Sequence, residues 1–239
     1  MYKNQNYKAR DVFYRYIIDS VNRYFYRNLK NILDVGCGDG TLSVMLREET
    51  HAEVFGCDIS IRELKLAKTK GIKTKHCDLN KHFPYQTNTF DMVFSNQVIE
   101  HIIDPDHFLS ECRRILKRNG RLIITTPNLT AWYNRILFIF GVYPLFLEAS
   151  MRDKTVGTKF MKRFAAQQQG VGHMKVLTAE VLRDLLELNH FDIEYITALK
   201  RTLFGNLSWF PKLLFQSIDT FFSKSTELGS DVLVVAKKR

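Results

Sequence analysis

Short apolar runs alternate with longer amphipathic stretches along most of this 239-residue chain. Runs rich in β-branched and aromatic residues predict strands near 31–35, 53–58, 72–76, 90–95 and 121–126. The segments FDIEYITAL and DVLVVAKKR predict two last strands, at 191–199 and 231–239. Strands that alternate with helices are typical of a mostly parallel sheet with helices on both faces. The pattern therefore predicts an α/β fold.

Two of the predicted helices have the clearest apolar faces. The first lies in the segment 107–128 and carries on one side Phe108, Leu109, Cys112, Ile115 and Leu116. Asn119 and Gly120 are expected to stop it before the strand at 121–126. The second begins at Thr178 as its N-cap and carries on one side Val181, Leu182, Leu185 and Leu186. Both helices are therefore expected to pack on the sheet.

A glycine-rich segment follows the first predicted strand directly. DVGCGDG spans Asp34 to Gly40 and precedes the helix-compatible stretch TLSVMLREE. A strand that ends in an acidic residue, followed by three glycines at alternating positions, forms a turn in which a ligand can lie against bare backbone. The segment therefore predicts a cofactor site.

The glycine spacing excludes two groups of cofactors. A dinucleotide site requires G-x-G-x-x-G, but counting from Gly36 and Gly38 the third position is Thr41. A nucleoside triphosphate loop ends in Gly-Lys-Ser or Gly-Lys-Thr, whereas Gly40 is followed by Thr41 and Leu42. The loop therefore predicts a cofactor of another kind.

Acidic or amide side chains end four successive predicted strands: Asp34, Asp58, Asp78 and Asn96. Asp58 follows Asp34 by roughly the 20 residues that a βαβ unit requires, and its carboxylate can accept hydrogen bonds from both hydroxyls of a ribose. An alternative role for Asp58 is to cap the helix that begins near Ile61, although Ser60 alone can do so. Asp78 has the alternative role of a solvated loop carboxylate.

These segments together resemble the class I S-adenosylmethionine (SAM) dependent methyltransferases. DVGCGDG is similar to the first motif of that family, acidic-x-G-x-G-x-G, and FDMVFSNQVIEH is similar to its fourth, FDxVxxxxxxEH. The resemblance covers about residues 30–130. It implies a Rossmann-like, doubly wound sheet of seven mostly parallel strands, with an antiparallel last strand at the edge and an insertion after the fifth strand.

The resemblance also implies SAM as the cofactor and a set of residues that bind it. In the family, the residue at the position of Asp78 reaches the exocyclic amine of adenine, with Leu79 beside the ring, and Asn96 lies under the methyl-donor sulfur. The implied cofactor-binding residues are Asp34, Gly36, Cys37, Gly38, Gly40, Asp58, Ile59, Asp78, Leu79, Asn96 and Gln97. Within the family, the chain looks closest to MetW-type proteins and to the UbiE/UbiG-like small-molecule group.

The resemblance implies transfer of a methyl group to a small-molecule acceptor, at oxygen or nitrogen. A lipid-like molecule or a cell-envelope precursor is among the candidate acceptors. An oxygen nucleophile such as a phenol requires a base, and His101 and His173 are the candidate catalytic residues, with Glu100 as a further candidate base. Each has a structural alternative, since His101 can orient a helix end and His173 can bond a backbone carbonyl. No spaced cluster of His, Asp and Glu is visible, so the sequence predicts no metal site.

Two other functions stay open. The first is a non-catalytic SAM-binding partner protein, as the MetW-type resemblance implies. The second is RNA methylation, which a net charge of +10 favours. Against it, SNQV stands where adenine-amine methyltransferases carry a [N/D/S]PP[Y/F] clamp, and no Pro-Cys pair exists for methylation at carbon 5 of a pyrimidine. Nucleic acid is therefore not the expected partner.

Two segments lie outside the expected core, at 129–176 and 203–224. The first contains ILFIFGVYPLFL, which is shorter than the roughly 20 apolar residues of a membrane-spanning helix. Both insertions are expected to form a substrate lid, a subunit interface, or a basic and aromatic surface that contacts a membrane. The aromatic, helix-periodic residues 11–28 are expected to add a lid beside the cofactor. The oligomeric state is left open.

Length and composition agree with a single methyltransferase domain over 1–239, since apolar residues make up 45% of the chain. The four cysteines form no C-x-x-C pair and are expected to be buried free thiols: Cys37, Cys57, Cys77 and Cys112. The polar segment MYKNQNYKAR predicts no secretory signal. We therefore expect a cytoplasmic protein, with peripheral membrane contact through the two insertions as an alternative to their burial in the substrate pocket or a subunit interface.

Overall fold

The computed structural model describes residues 14–15, 17–19, 29–153, 155–159, 172–200 and 209–239. Seven strands form one sheet: β1 (Asn31–Val35), β2 (Glu53–Asp58), β3 (Lys73–His76), β4 (Phe90–Asn96), β5 (Leu116–Pro127), β6 (Phe191–Leu199) and β7 (Asp231–Lys238). The described helices are α1 (Thr41–Thr50), α2 (Ile61–Thr69), α3 (Pro105–Ile115), α4 (Trp132–Ile139), α5 (Ala179–Leu188) and α6 (Trp209–Phe222). A 3-10 turn at Ile99–His101 follows β4.

The strand order β3-β2-β1-β4-β5-β7-β6 places β1 at the centre of the parallel part of the sheet. β2 and β4 both pair with β1 in parallel, as β3 does with β2 and β5 with β4. The chain therefore crosses the sheet between β3 and β4, and the carboxyl ends of β1 and β4 meet at the switch point where doubly wound folds bind ligands. The predicted fold class is confirmed.

The predicted position of the last strand is wrong. β7 is antiparallel as expected, but it lies between β5 and β6, and β6 forms the edge of the sheet. The first six residues of β7 are buried without a break, whereas β6 mixes buried, half-buried and exposed positions. A strand with both faces covered belongs inside a sheet, and a strand with one solvated face is tolerated at its edge.

The end of α3 also differs from the sequence prediction. The helix ends at Ile115, and Leu116 is already extended and pairs with Phe90 of β4. Asn119 and Gly120 therefore lie inside β5 and do not stop the helix. The register between β4 and β5 shifts at this point, and Asn119 takes a left-handed conformation with φ 64°. The Asn-Gly pair thus forms a bulge in the strand.

The apolar face of α5 is confirmed in part. Thr178 is the N-cap, and its side chain accepts a hydrogen bond from Val181 N (3.1 Å). Leu182 and Leu186 are fully buried, and Leu185 packs half-buried against the same core. Val181 was expected on this face but is 43% exposed, because the first turn of the helix directs it towards solvent.

Alternate residues of β1 pack into apolar layers on the two faces of the sheet. Leu33 and Val35 join the layer that contains α3 and α5, whereas Ile32 joins the layer that contains α1. Ile17 and Ile18 are helical and buried in this second layer. Within the predicted lid at 11–28, the structure describes residues 14–15 and 17–19. The other positions of this segment lie outside the described residues. All four cysteines are buried free thiols, as predicted.

The two predicted insertions pack against each other through α4 and α6. The Trp132 ring of α4 lies 5.1 Å from Phe215 and 5.6 Å from Phe222, centroid to centroid. Trp132 Nε1 also donates a hydrogen bond to Asp219 Oδ1 (3.0 Å), and Asp219 is nearly fully buried. Within the described part of the chain, no helix is long and apolar enough to cross a membrane.

Candidate cofactor and acceptor site

Three glycines give the loop after β1 a backbone that other residues rarely adopt. Gly36, Gly38 and Gly40 have φ values of 71°, 52° and 74°. A Cβ atom on Gly36 would lie 2.5 Å from Val98, and one on Gly40 would lie 2.8 Å from Ala67. A Cβ atom on Gly38 would meet nothing within 4 Å. Two glycines therefore allow close packing, whereas Gly38 faces open space that a ligand can enter.

Asp34 ends β1 as a buried carboxyl. Ser43 of α1 donates a hydrogen bond to its Oδ2 (2.6 Å), and the side chain is 1% exposed. Burial raises the pKa of Asp34 to about 7; the hydrogen bond from Ser43 acts against this rise, and the nearby charge of Asp58 adds to it. The charge of this carboxyl therefore changes close to neutral pH.

Asp58 ties the end of β2 to the glycine loop. Its Oδ2 accepts a hydrogen bond from Gly38 N (2.9 Å), and its Oδ1 accepts one from Ser60 N (2.8 Å). Ser60 is the N-cap of α2 and accepts from Glu63 N (3.3 Å). The cap therefore belongs to Ser60, and the ribose role of Asp58 stays a prediction.

Asp78 lies two residues beyond β3, beside apolar side chains. Its Oδ1 accepts a hydrogen bond from Asn80 N (3.1 Å), which with the nearby Lys81 ammonium holds the pKa of Asp78 below its usual value. Leu79 is buried, and Ile59, at the end of β2, is 63% exposed. A carboxylate and two apolar side chains are thus available to an adenine ring at the ends of β2 and β3.

The side chains of Asn96 and Gln97 at the end of β4 are held by neighbouring strands. Thr125 Oγ1 of β5 donates to Asn96 Oδ1 (2.6 Å), and Gln97 Nε2 donates to Asp231 Oδ1 of β7 (3.1 Å). Gln97 has φ 56°, so the chain turns sharply there. Cys37, in the glycine loop, is buried, and burial raises the pKa of its thiol. A Cβ atom on Gly56 of β2 would lie 2.7 Å from Cys37 Sγ, so the thiol packs against β2.

The 3-10 turn after β4 brings together Glu100, His101 and His173, which we call the His–Glu cluster. The imidazole centroids of His101 and His173 are 4.9 Å apart. His101 Nδ1 lies 3.0 Å from the Gly172 carbonyl oxygen, and His173 Nδ1 lies 2.7 Å from the Phe146 carbonyl oxygen. A carbonyl oxygen only accepts hydrogen bonds, so each Nδ1 carries a proton, and in the neutral imidazole the lone pair is on Nε2.

Backbone and side-chain hydrogen bonds fix Glu100 within this cluster. The carboxylate is fully buried, and Thr126 Oγ1 of β5 donates to its Oε2 (3.1 Å). The backbone oxygen of Glu100 accepts from Met174 N (2.7 Å) and Lys175 N (3.1 Å). The turn after β4 is therefore joined directly to the segment that carries His173.

Aromatic rings and a second carboxylate lie on the other side of His173. The Phe146 ring is 6.2 Å from the His173 ring and 6.5 Å from the ring of Tyr133 in α4. Glu148 Oε1 lies 4.0 Å from His173 Nδ1, and Glu148 Oε2 accepts a hydrogen bond from Gly172 N (2.9 Å). This side of the site is therefore aromatic and acidic.

Sequence reasoning missed parts of this arrangement. It predicted no cluster of metal-binding side chains, but the structure places ligand atoms of Glu100, His101 and His173 within 4.8 Å of one another. Ser43 was also missed, although a serine one turn into the first helix is within reach of the strand end that precedes it. Glu148 was missed because the apolar run before it was analysed only as a possible membrane segment. A carboxylate directly after such a run was the signal in the sequence that could have indicated it.

The residues at the carboxyl edge of the sheet fit SAM. The open side of Gly38 leaves room beside the loop backbone, and the carboxylates of Asp34 and Asp58 match an ammonium group and ribose hydroxyls. Leu79 and Ile59 offer apolar surface beside Asp78. SAM carries no phosphate, which agrees with the missing dinucleotide and triphosphate motifs.

Known proteins are similar to this chain in sequence and in fold. A methyltransferase domain model matches residues 33–124. The human mitochondrial ubiquinone biosynthesis O-methyltransferase is 29% identical over 177 residues, 70% of this chain and 43% of the relative. The chain thus spans about half or less of the length of the curated relatives it matches.

Two solved structures show the same fold at low identity. A SAM-dependent methyltransferase from Archaeoglobus fulgidus has a TM-score of 0.59 and 21% identity, with 96% of this chain and 97% of that one covered. The [4+2]-cyclase SpnF has a TM-score of 0.63 and 16% identity, with 99% and 84% covered. The glycine loop, the strand order and these similarities lead to one conclusion: residues 33–124 match a methyltransferase domain, and the chain has the fold of the SAM-dependent methyltransferases, for which SAM is the cofactor.

Proposed function

We propose that this protein transfers the methyl group of SAM to an oxygen atom of a small-molecule acceptor. The observation that carries the proposal is the position of the His–Glu cluster next to the cofactor loop. Val98 packs against Gly36, and the 3-10 turn that carries Glu100 and His101 begins at the following residue. A hydroxyl acceptor must lose a proton during the reaction, and two imidazoles beside the cofactor serve that purpose.

The cofactor supplies an activated methyl group when it is bound, so the chain has to position the acceptor and exclude water. We assign the ammonium group of SAM to Asp34 and the ribose hydroxyls to Asp58. We assign the adenine to Asp78, Leu79 and Ile59. These assignments rest on the family resemblance and on the shared edge of the sheet where the five residues lie.

His101 and His173 are assigned to the acceptor hydroxyl, whose ionisation they promote. In the neutral form each ring has its lone pair on Nε2, because its Nδ1 atom donates to a carbonyl oxygen. Both residues are partly buried, and the His173 side chain is 8% exposed, so bulk water has little access to the two rings. The hydrogen bonds that orient the two rings support a role that depends on their geometry.

An acceptor with an aromatic head and an apolar tail fits the surroundings of the cluster. The rings of Tyr133 and Phe146 continue from His173 towards α4. From there, Trp132 continues the aromatic surface to α6. The name of the human relative, a ubiquinone biosynthesis O-methyltransferase, supports an acceptor of this chemical class.

We further infer that α4 and α6 contact a membrane surface, without spanning it. Their exposed apolar side chains are Ile136, Phe138, Ile139 and the adjoining Phe140 on α4, and Leu213, Leu214 and Phe221 on α6. Ile139 and Phe140 are 80% and 76% exposed, which is unusual for large apolar side chains in neighbouring positions. A net charge of +10 adds attraction to anionic lipid.

The proposed reaction is tested by measuring S-adenosylhomocysteine (SAH) release with SAM and a panel of phenols and catechols, with and without a prenyl tail. We expect turnover with a catechol and a lower KM when the tail is present. His101→Ala and His173→Ala should each reduce kcat by about 100-fold or more while SAM affinity is kept. His51→Asn, which removes an exposed imidazole elsewhere, is the matched control.

Two results would contradict the proposal. SAM binding without SAH release from any phenol or catechol would favour the non-catalytic partner protein. Turnover with total RNA alone would favour the RNA methyltransferase.

A further inference from the structure

We propose that a pocket between β2, β3 and the loop before β4 binds a small molecule with an aromatic ring and an anionic group. The pocket has a volume of about 540 Å³, which is within the range of small-molecule sites. Its lining includes Phe55, Lys75, His82, Tyr85, Gln86 and Thr89. Among the described residues that line it, none is assigned to SAM or to the acceptor, so the inference does not depend on the proposed methyl transfer.

The pocket lies where a loop, and not a helix, covers the sheet. Phe55 pairs with Lys73 and Cys57 pairs with Lys75 in the parallel register of β2 and β3, so these side chains share one face. Over this face the chain runs through residues 77–89, a described segment that contains no helix. The cover is therefore incomplete, and the ring of Phe55 stays half-buried.

Three aromatic rings form the floor and one wall of the pocket. The rings of Phe55 and Phe90 have centroids 5.6 Å apart, and those of Tyr85 and Phe90 are 5.1 Å apart, both nearly perpendicular. Tyr85 and Phe90 are buried, and the Tyr85 hydroxyl donates to the Gly56 carbonyl oxygen (3.4 Å). The half-buried ring of Phe55 is thus the surface that a ligand ring can contact.

The wall of the pocket is fixed before any ligand binds. Arg114 Nη1 donates to the Tyr85 carbonyl oxygen (2.8 Å), and Arg114 Nη2 donates to the Phe83 carbonyl oxygen (3.1 Å). Glu111 Oε2 accepts a hydrogen bond from Phe83 N (2.7 Å). Because α3 holds the loop at both residues, little conformational entropy is lost when the pocket is occupied.

Lys75 supplies a positive charge at the pocket. Its ammonium group lies 4.7 Å from the centroid of the Tyr85 ring and donates a hydrogen bond to the Pro84 carbonyl oxygen (2.8 Å). In the described part of the chain, no carboxylate forms an ion pair with Lys75. An ammonium group has three N–H donors, so donors are left for an anionic ligand.

The neighbouring basic side chains already have anionic partners. Lys73 forms an ion pair with Glu53, and His82 Nδ1 lies 3.1 Å from Glu111 Oε2. Of these three basic side chains, Lys75 is the one whose charge a ligand can neutralise, and the same charge repels a cation. Ring surface and charge together favour an aromatic anion.

Calorimetric titration of the SAH-saturated full chain with 2-naphthoate tests the site, and 2-naphthalenemethanol is the neutral probe with the same ring. We expect one equivalent of 2-naphthoate to bind with a submillimolar Kd. The neutral probe should bind about fivefold more weakly, which corresponds to one exposed ion pair.

Lys75→Gln should bind the two probes equally, because the charge that distinguishes them is lost. Lys68→Gln, which removes an exposed lysine on α2, should keep the preference of the unaltered protein. Phe55→Leu should weaken both probes by about threefold to tenfold, because a ring contact is lost. SAH titration of each variant checks that the protein is folded.

Three results would overturn the inference. The first is the absence of 2-naphthoate binding to the unaltered protein. The second is a preference for 2-naphthoate that survives in Lys75→Gln. The third is binding that is lost in His173→Ala and kept in Lys75→Gln, which would place the probe beside the His–Glu cluster.

Discussion

Asp34 is a residue whose charge changes near neutral pH. Because burial raises its pKa to about 7, it is neutral below that pH and a carboxylate above it. A carboxylate is needed to bind an ammonium group, so SAM affinity should rise about tenfold per unit between pH 5.5 and 7. Calorimetry across this range measures the slope.

Asp34→Asn provides the control for this prediction. Its SAM affinity should be weak and nearly constant over the same range. The stability of the SAM-free protein should show the opposite trend: the folded-state pKa lies above the unfolded value of 3.8, so the contribution of Asp34 falls as pH rises from about 4 to 7. A SAM affinity that does not change between pH 5.5 and 7 would remove Asp34 from the ammonium site.

Gly38 and Gly40 should respond differently to alanine. Both have positive φ, which costs an alanine about 1–2 kcal/mol. At Gly40 the new methyl group also meets Ala67, which adds about 1–3 kcal/mol of overpacking. At Gly38 it enters the open space assigned to SAM, so SAM affinity should fall more than tenfold. Thermal unfolding and calorimetry separate the two effects.

Gly141→Ala is the matched control for these variants. Gly141 has φ 66°, a Cβ atom added there would meet nothing within 4 Å, and the residue lies outside the cofactor loop. The variant should be less stable, because an alanine at positive φ is strained, and its SAM affinity should be unchanged. Equal SAM affinity in Gly38→Ala and Gly141→Ala would contradict the assignment of Gly38.

At the scale of elements, α3 is fixed to the loop before β4 by a partly buried ion pair. Glu111 accepts hydrogen bonds from Arg114 Nε (2.8 Å) and from Phe83 N (2.7 Å). Burial acts to raise the pKa of Glu111, but these hydrogen bonds outweigh it and hold the pKa below its usual value. Arg114 also donates to the Tyr85 carbonyl oxygen (2.8 Å). The pair therefore positions a loop that connects β3 to β4 without a helix.

Glu111→Gln should destabilise the protein by about 3 kcal/mol, because Arg114 loses its charged partner in a partly buried position. Asp192→Asn breaks the exposed pair with Arg239 and should cost less than about 1 kcal/mol. Since its pKa is lowered in the folded state, Glu111 stabilises the protein above the unfolded pKa, and this contribution disappears as pH falls through the folded one. Urea unfolding at pH 7 and at pH 4 measures the free energy of unfolding of both variants and its pH dependence. Equal losses of stability in the two variants at pH 7 would contradict a structural role for the Glu111–Arg114 pair.

The elements were predictable where local pattern decides them. Apolar runs lie in β1, β2, β4 and β5, although β3 (KTKH) has none. Thr178 and Ser60 are caps with a local hydrogen bond. The end of α3 was not predictable from the sequence, because Asn119 and Gly120 suit a helix stop and a strand bulge equally well. The unbroken apolar run of β7 and the mixed pattern of β6 carried the information that β7 is the inner strand.

At the scale of the whole molecule, the cofactor half of the site was predictable and the acceptor half was not. Parallel strands bring their carboxyl ends to one edge, so residues at successive strand ends converge whatever the loops do. The His–Glu cluster instead depends on a segment from the insertion folding back over β4. Contacts of that kind leave no periodic signal in the sequence.

Membrane contact by α4 and α6 is also a property of the whole molecule. The full chain should co-sediment with anionic vesicles. The double variant Ile139→Ser, Phe140→Ser should bind about tenfold or more weakly, because burying each apolar side chain in lipid stabilises binding by about 1.5–3 kcal/mol. Leu188→Ser, at a 69% exposed position of α5, should bind normally. Equal sedimentation of all three proteins would contradict this role.

Calorimetric titration of SAM into the unaltered chain and into Asp58→Ala tests the central claim most directly, with Asp192→Ala as a control of equal chemistry at an exposed site. The unaltered chain and the control should bind one equivalent of SAM. Asp58→Ala should bind at least about 100-fold more weakly, because two hydrogen bonds to a charged group are lost. No SAM binding by the unaltered chain, or equal affinity in Asp58→Ala, would contradict the claim that this edge of the sheet holds SAM.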